Sequence, residues 1–410
     1  MKGLRMAYLL LTILILCVPS NISFTEDEKN EENNTLFEME NHCIPAFKNT
    51  KTWSRTFGKF LLPDIGHTVR QLPRGDYIVG GMTITFPSFE QHGWMIKLND
   101  KGRREWKKIF STLEDLIEIE VVDDGFLIGG NGKSGDVEII KMDLEGNVVW
   151  EKTFGGNYLD ILKKDDCIAK SRDGGFVILA TSWSFSNNKG ADMWLIKLDE
   201  NGNKEWERVY GEKEDADIGY GVMEVDDGYI IVGQSYSFNS TDFGWLIKLD
   251  ENGNKEWEIR KGYSLMSIAV SEDGKYFVTG SIWNERENNF DLLLMKVGKE
   301  GSIEYLKTFG NLYNEGGYSI AATQDNGFII CGNREYRGNG DIWLIKVDAD
   351  GNEIWNKTYG KRGWDRGECV RQTDDGGYII VGETTQFPWL FFPYRLNIWL
   401  IKTDENGDIK

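Results

Sequence analysis

Short apolar runs recur along the chain at similar distances. Phe328-Ile329-Ile330-Cys331, Tyr229-Ile230-Ile231-Val232 and Tyr378-Ile379-Ile380-Val381 each follow glycine and are rich in β-branched residues. Runs of this length and composition predict buried strands. A second kind of segment alternates, with Trp343, Ile345 and Val347 on one face and Leu344, Lys346 and Asp348 on the other. That is the period-two pattern of a strand with one partly polar side. Amphipathic patterns of helical length are absent. The alternating segments run into Asp348-Ala349-Asp350-Gly351, Asp199-Glu200-Asn201-Gly202 and Asp250-Glu251-Asn252-Gly253, whose glycines supply the positive φ that a tight hairpin needs. An extended segment such as Trp355-Asn356-Lys357-Thr358-Tyr359-Gly360 follows, and one such as Ser319 to Thr323 precedes the turn Asp325-Asn326-Gly327.

Each unit therefore holds four short strands. The aromatic that opens the fourth strand recurs as Trp106, Trp150, Trp206, Trp257, Tyr305 and Trp355, with a matching Trp53 upstream, at spacings of 53, 44, 56, 51, 48 and 50 residues. Spacings of this size signal arrays of stacked or radial units. Turns that precede a fourth strand begin at residues 99, 143, 199, 250, 298, 348 and 404, which counts seven units. Four antiparallel strands cannot bury both faces alone, so neighbours must pack face to face, as the blades of a β-propeller do. The last turn begins at Asp404, and its aromatic falls due one residue beyond Lys410. Trp53 to Gly58 supplies that strand. The expected fold is all-β: a seven-bladed β-propeller over residues 50–410, closed by an N-terminal strand that completes the C-terminal blade.

Two families are resembled. Tyr77-Ile78-Val79-Gly80-Gly81 with the later Trp94-Met95-Ile96-Lys97-Leu98 and Trp106 looks like a kelch-type repeat. Leu198-Asp199-Glu200-Asn201-Gly202 through Trp206 is similar to the tryptophan-docking motif of quinoprotein (PQQ)-like propellers. The glycine pair here usually precedes the apolar run, as in Gly376-Gly377-Tyr378, and the docking segment is one residue short. The resemblance implies the fold and says little of activity, because propellers host many unrelated functions.

Residues 1–20 predict an export signal, since Lys2 and Arg5 precede an apolar run from Met6 to Val18 and Val18-Pro19-Ser20 supplies small residues for cleavage. The run falls short of the ~20 apolar residues a spanning helix needs. No stable transmembrane span is expected unless this segment is retained as an anchor. Residues 21–49 follow as an acidic tether: Phe24 to Asn41 carries seven acids against one lysine and is expected to stay solvated. The expected location is extracellular or cell-surface. A formal net charge of −19 argues against nucleic acid or anionic lipid as a partner, because phosphate recognition needs clustered lysine and arginine. Beyond the signal, Cys43, Cys167, Cys331 and Cys369 permit three disulfide pairings. Cys331 occupies the place of Val232 and Val381 in other repeats and reads as buried.

A lysine recurs in every unit as Lys97, Lys141, Lys197, Lys248, Lys296, Lys346 and Lys402, and reads as a structural partner of a carboxylate at a blade seam. Two classes of loop point to function. Tight turns of nearly fixed length share one face, whereas connections of varying length and content share the other. A rigid scaffold concentrates binding on such loops. Candidate ligand-binding aromatics on the variable face are Trp183, Trp283, Trp364, Trp389, Phe391 and Tyr394. The last three belong to an apolar loop that either grips a ligand or caps its own blade. Asp64, Asp217, Glu315 and Asp365 fall just before innermost strands and are candidate metal ligands, with Ca²⁺ the cation considered; the other reading is that each braces its own loop. No cofactor is expected otherwise. Three histidines, His42, His67 and His92, offer no three-histidine metal centre. Nucleophile elbows, phosphate loops and zinc-protease motifs are absent. The sequence thus favours a non-enzymatic binding or scaffold propeller for a carbohydrate or protein at the cell surface. The alternative is a carbohydrate-active enzyme, a glycoside hydrolase or lyase, working through carboxylates at the channel mouth.

Overall fold

The computed structural model describes residues 51–58, 62–186, 190–211, 216–236, 243–310, 312–336, 339–361, 363–386 and 395–409. All its regular elements are strands, and they form seven antiparallel sheets. Blade 1 comprises Asp64–Gln71, Tyr77–Ile84, Gln91–Leu98 and Arg104–Ile109, hydrogen-bonded in chain order from the axis outward. Blades 2 to 6 repeat this order over 113–154, 160–210, 216–261, 264–309 and 314–359. Blade 7 takes Asp365–Gln372, Tyr378–Gln386 and Arg395–Thr403 from the C-terminus and Trp53–Phe57 from the N-terminal side. Trp53 pairs with Lys402 and Phe57 with Ile398, so backbone hydrogen bonds seal the ring as the missing final strand predicts.

The core lies between blades rather than inside any one of them. Phe277, Leu292 and Leu294 of blade 5 pack against Ile320, Phe328 and Trp343 of blade 6, with Phe277 stacked on Phe328 at 3.9 Å between centroids. At the outer edge, the glycine of each third hairpin lies under the aromatic of the preceding blade. A Cβ on Gly202 would sit 2.8 Å from Trp150, on Gly253 3.0 Å from Trp206, on Gly301 2.8 Å from Trp257, and on Gly407 2.8 Å from Trp355. The same contact closes the circle: a Cβ on Gly102 would meet Trp53 at 2.7 Å, and the Trp53 indole donates to the Asp100 carbonyl at 3.1 Å. These glycines have φ near +70 to +80°, so the turn and the close approach exclude a side chain together.

The recurring lysines are structural, but their carboxylates lie within the same blade and not across a seam. Lys197 bonds Asp173 of its own inner turn at 2.7 Å and Glu205 of its own outer strand at 3.0 Å, and Lys248 meets Asp227 and Glu256 likewise. The ammonium sits at a register shift between the third and fourth strands, which leaves carbonyl oxygen for it to bond. Cys167, Cys331 and Cys369 are buried free thiols. Asp348 accepts backbone hydrogen bonds from Asp350 and Asn352, so that segment is a hairpin turn, as its glycine predicts.

Blade 3 departs from the pattern. Its innermost strand is broken into Asp160–Ile161 and Ile168–Lys170, and the residues between them leave the sheet.

Candidate functional site

The displaced segment of blade 3 enters the axis and meets every other blade. Asp165 accepts from Arg70 of blade 1 at 3.2 Å and from Arg371 of blade 7 at 2.7 Å. Arg371 also bonds Asp166, whose carboxylate accepts from Ser267 of blade 5 at 3.2 Å and whose carbonyl accepts from the Val222 amide of blade 4 at 2.8 Å. Ser319 of blade 6 accepts from Arg371 at 3.3 Å, and Glu118 of blade 2 accepts from the Ile168 amide at 2.7 Å. Asp166 has φ of +76°, a left-handed conformation that costs a non-glycine residue about 1–2 kcal/mol. The bonds around it hold it there.

Electrostatics explain how so many charges share a buried axis. Burial raises the Asp165 carboxyl, but the Arg70 and Arg371 guanidiniums outweigh it and hold the group below its ordinary value. Burial first, and then Asp165, push the Glu118 carboxyl well above its ordinary value. Glu118, Asp165 and Asp166 are the one group among the described residues close enough together to share a metal ion. Two guanidiniums already occupy their charge. The arrangement is a plug of ion pairs spanning the ring.

On the variable-loop side of this plug lies a second group. His67 Nε2 is 3.1 Å from Asp115 across the seam of blades 1 and 2. Burial works against a charged imidazole, yet Asp115, Glu368 and Glu383 together lift its pKa to about 9. Glu383 is raised by burial and by Glu368. Glu368 pairs with Arg366, whose guanidinium lies 5.1 Å from the Tyr318 ring centroid. Lys164, from the displaced segment, lies 5.1 Å from the same ring, and Lys163 lies 5.6 Å from Trp183.

Tyr318 also lines a cavity of about 600 Å³ formed by blades 5, 6 and 7. Its apolar faces are Trp283, Phe290, Tyr318 and Trp364, and its polar groups include Asn314, Asn333, Ser264 and Ser281. Trp283 stands at the end of the second strand of blade 5 and meets Phe290 edge to face at 5.0 Å. Trp364 is fixed by its backbone, which exchanges hydrogen bonds with Thr385, while its ring lies over Gly340 of blade 6. A volume of this size suits a small ligand, for which ~300–1,000 Å³ is usual. The opposite face has a cavity of about 500 Å³, with Val222, Ile268 and Ile320 in its walls and Glu118 and Arg371 at the plug. That face is uniform in its turns but hollow at its centre.

The structure gathers some predicted residues and separates others. Trp283, Trp364 and Glu315 line the one cavity. Trp183 is in blade 3, beside Lys163, and Trp389, Phe391 and Tyr394 lie outside the described residues. The four acids are buried, each on its own blade, and do not form a shared cluster. Asp365 accepts the amide of Lys361 four residues earlier, and Asp160 of blade 3, which the sequence reading passed over, accepts that of Gly156 in the same way. Glu315 lies 3.3 Å from Arg334 of its own blade. The Asp365 bond is of the kind that a loop brace makes. His67, Asp115, Lys163, Lys164, Arg366, Glu368 and Glu383 were not singled out as a site. The signal was the 56-residue spacing of blade 3, the longest of the series, with Lys163-Lys164-Asp165-Asp166 inside it.

No protein-family model matches the chain, and no curated protein sequence matches it. Among solved structures it is similar to a catalytically inactive virginiamycin B lyase from Staphylococcus aureus crystallised with quinupristin, at 10% identity, with 86% of this chain and 99% of that chain covered and a TM-score of 0.52. It is also similar to Sqt1 from Chaetomium thermophilum bound to the N-terminus of ribosomal protein L10, at 12% identity over 82% of this chain and 86% of that one, with a TM-score of 0.49. A protein of unknown function from Bacteroides caccae follows at 12% identity, 69% and 91% coverage and a TM-score of 0.42. At such identities the likeness speaks to fold alone, and the lyase carries it: the chain is a seven-bladed β-propeller.

Proposed function

We propose that the protein is an exported, cell-surface binding propeller that holds a carbohydrate on its variable-loop face. The observation that carries this reading is the cavity in which Trp283, Phe290, Tyr318 and Trp364 offer flat apolar faces beside asparagine and serine side chains. Aromatic faces cover the apolar face of a sugar ring, and amides and hydroxyls satisfy its hydroxyl groups. The export signal and acidic tether read from residues 1–49 accord with a surface role, and the aromatic-on-glycine contacts support reading the repeats as quinoprotein-like. Glycan-array binding tests the proposal. Specific signal that is lost in a Trp283→Ala, Trp364→Ala double variant of unchanged thermal stability supports it, and absence of signal on any glycan contradicts it.

One observation favours a second reading, a carbohydrate-active enzyme. His67, Asp115, Glu368 and Glu383 interact in a partly buried group in which the proton affinities of His67 and Glu383 are raised, and such groups are candidates for acid and base roles. On this reading the carboxylates at work are at the axis rather than Asp64, Asp217, Glu315 and Asp365. Accumulation of new reducing ends or of unsaturated products from a bound glycan would support it; a bound glycan recovered intact would remove it.

A further inference from the structure

Lys163 and Lys164 differ from the lysines of the repeat. Each recurring lysine is bonded to carboxylates, as Lys197 is to Asp173 and Glu205. The ion pairs among the described residues include neither Lys163 nor Lys164, although the chain holds 66 acids against 47 lysines and arginines. Both are only part-exposed and have aromatic rings for neighbours: Trp183 for Lys163, Tyr318 for Lys164. Burial lowers the proton affinity of both; for Lys163 no carboxylate offsets it, and for Lys164 Glu368, Asp166 and Asp165 offset it incompletely against Arg366. The ammonium groups of two consecutive residues, each held against a ring and neither in an ion pair, leave charge for something else to satisfy. Arg366 stands on the same Tyr318 ring, and that ring is also a wall of the cavity beside Trp283 and Trp364.

We propose that the ligand of the variable-loop face is an acidic saccharide, its carboxylate met by Lys164 and Lys163 and its sugar rings by Tyr318, Trp183 and Trp364. This rests on the reading of that face as a carbohydrate site and names the class of sugar. A uronic acid fits better than a neutral sugar because its carboxylate supplies an ion-pair partner for Lys163 and Lys164, whereas Asp165 and Asp166 of the same segment are bonded to Arg70 and Arg371. It fits better than an acidic peptide because four aromatic faces and several amide and hydroxyl groups converge on a cavity of about 600 Å³. In a chain of formal charge −19, general attraction does not draw an anion; recognition must come from these local cations.

The test is calorimetric titration of the full chain with trimers of galacturonate, glucuronate and mannuronate, with their carboxyl-reduced neutral counterparts, and with a tetraglutamate peptide. At least one uronate trimer is expected to bind at least tenfold more tightly than its reduced form and than the peptide. A Lys163→Met, Lys164→Met double variant should lose that tenfold preference while keeping its melting temperature, and a Lys163→Arg, Lys164→Arg variant should recover most of it. Equal binding of acidic and reduced trimers overturns the acidic-sugar assignment and leaves the carbohydrate site standing. Peptide binding as tight as that of the best trimer also overturns the assignment. Failure of every saccharide to bind overturns both.

Discussion

The outer seams and the axis of this propeller are built on opposite principles. At the outer seams one contact, an aromatic over a hairpin glycine, is made in the same way from blade to blade, and its donor and turn are set by local sequence. At the axis no one residue is kept by every blade: Arg70, Glu118, Asp165, Val222, Ser267, Ser319 and Arg371 meet from seven blades, and only arginine, in blades 1 and 7, and serine, in blades 5 and 6, recur at matching register. The difference teaches where to look for function in a repeated fold. Positions that every unit keeps serve the unit, whereas a group assembled from the exceptions serves the whole molecule.

The largest break comes from removing the strand that seals the outer ring. Deleting residues 51–58 should expose the edge of Arg395–Thr403, abolish cooperative thermal unfolding and produce aggregates visible by light scattering. Retention of a single sharp transition would show that the closure is dispensable. Next in size, Trp53→Ala empties a buried site and should lower unfolding free energy by about 3–5 kcal/mol in urea titration. At the axis, Arg371→Met leaves Asp165 and Asp166 short of a counter-charge and should cost about 3 kcal/mol, comparable with breaking other buried pairs. If Arg371→Met is silent while Trp53→Ala is not, the plug is not a structural member.

The smallest effect is a pH dependence. His67 has a folded-state pKa of about 9 against an ordinary value of 6.5, so its contribution to stability is complete below about pH 6.5 and is lost as pH rises through 9. Melting temperature should therefore fall over that interval more in the wild-type protein than in His67→Gln. Parallel curves for the two proteins would contradict the pairing with Asp115.

The same division explains how much was legible. Periodicity carried the blade count, the strand order and the closure by Trp53, because each rests on local turn chemistry or on a spacing. It also put Trp283, Trp364 and Glu315 on the variable face. What it did not carry is which of those residues converge, since that depends on the turn of each blade about the axis. The acids illustrate the limit. Asp365 begins an innermost strand and accepts the amide of Lys361, and among the described residues the acids close enough to share a cation are Glu118, Asp165 and Asp166 instead. The axial plug was hidden for a different reason: Asp165 and Asp166 look like part of an ordinary polar loop until the strand around them is seen to break.

The claim that repeated positions hold the ring and exceptional ones make the site is tested most directly by one paired measurement. Glycan binding and thermal stability are compared in Trp283→Ala/Trp364→Ala and in Trp206→Ala, the last altering an outer-seam aromatic. The account predicts that the first variant loses binding at full stability and the second keeps binding per folded molecule while its melting temperature falls. Binding lost in Trp206→Ala at unchanged stability, or kept in the double variant, would contradict it.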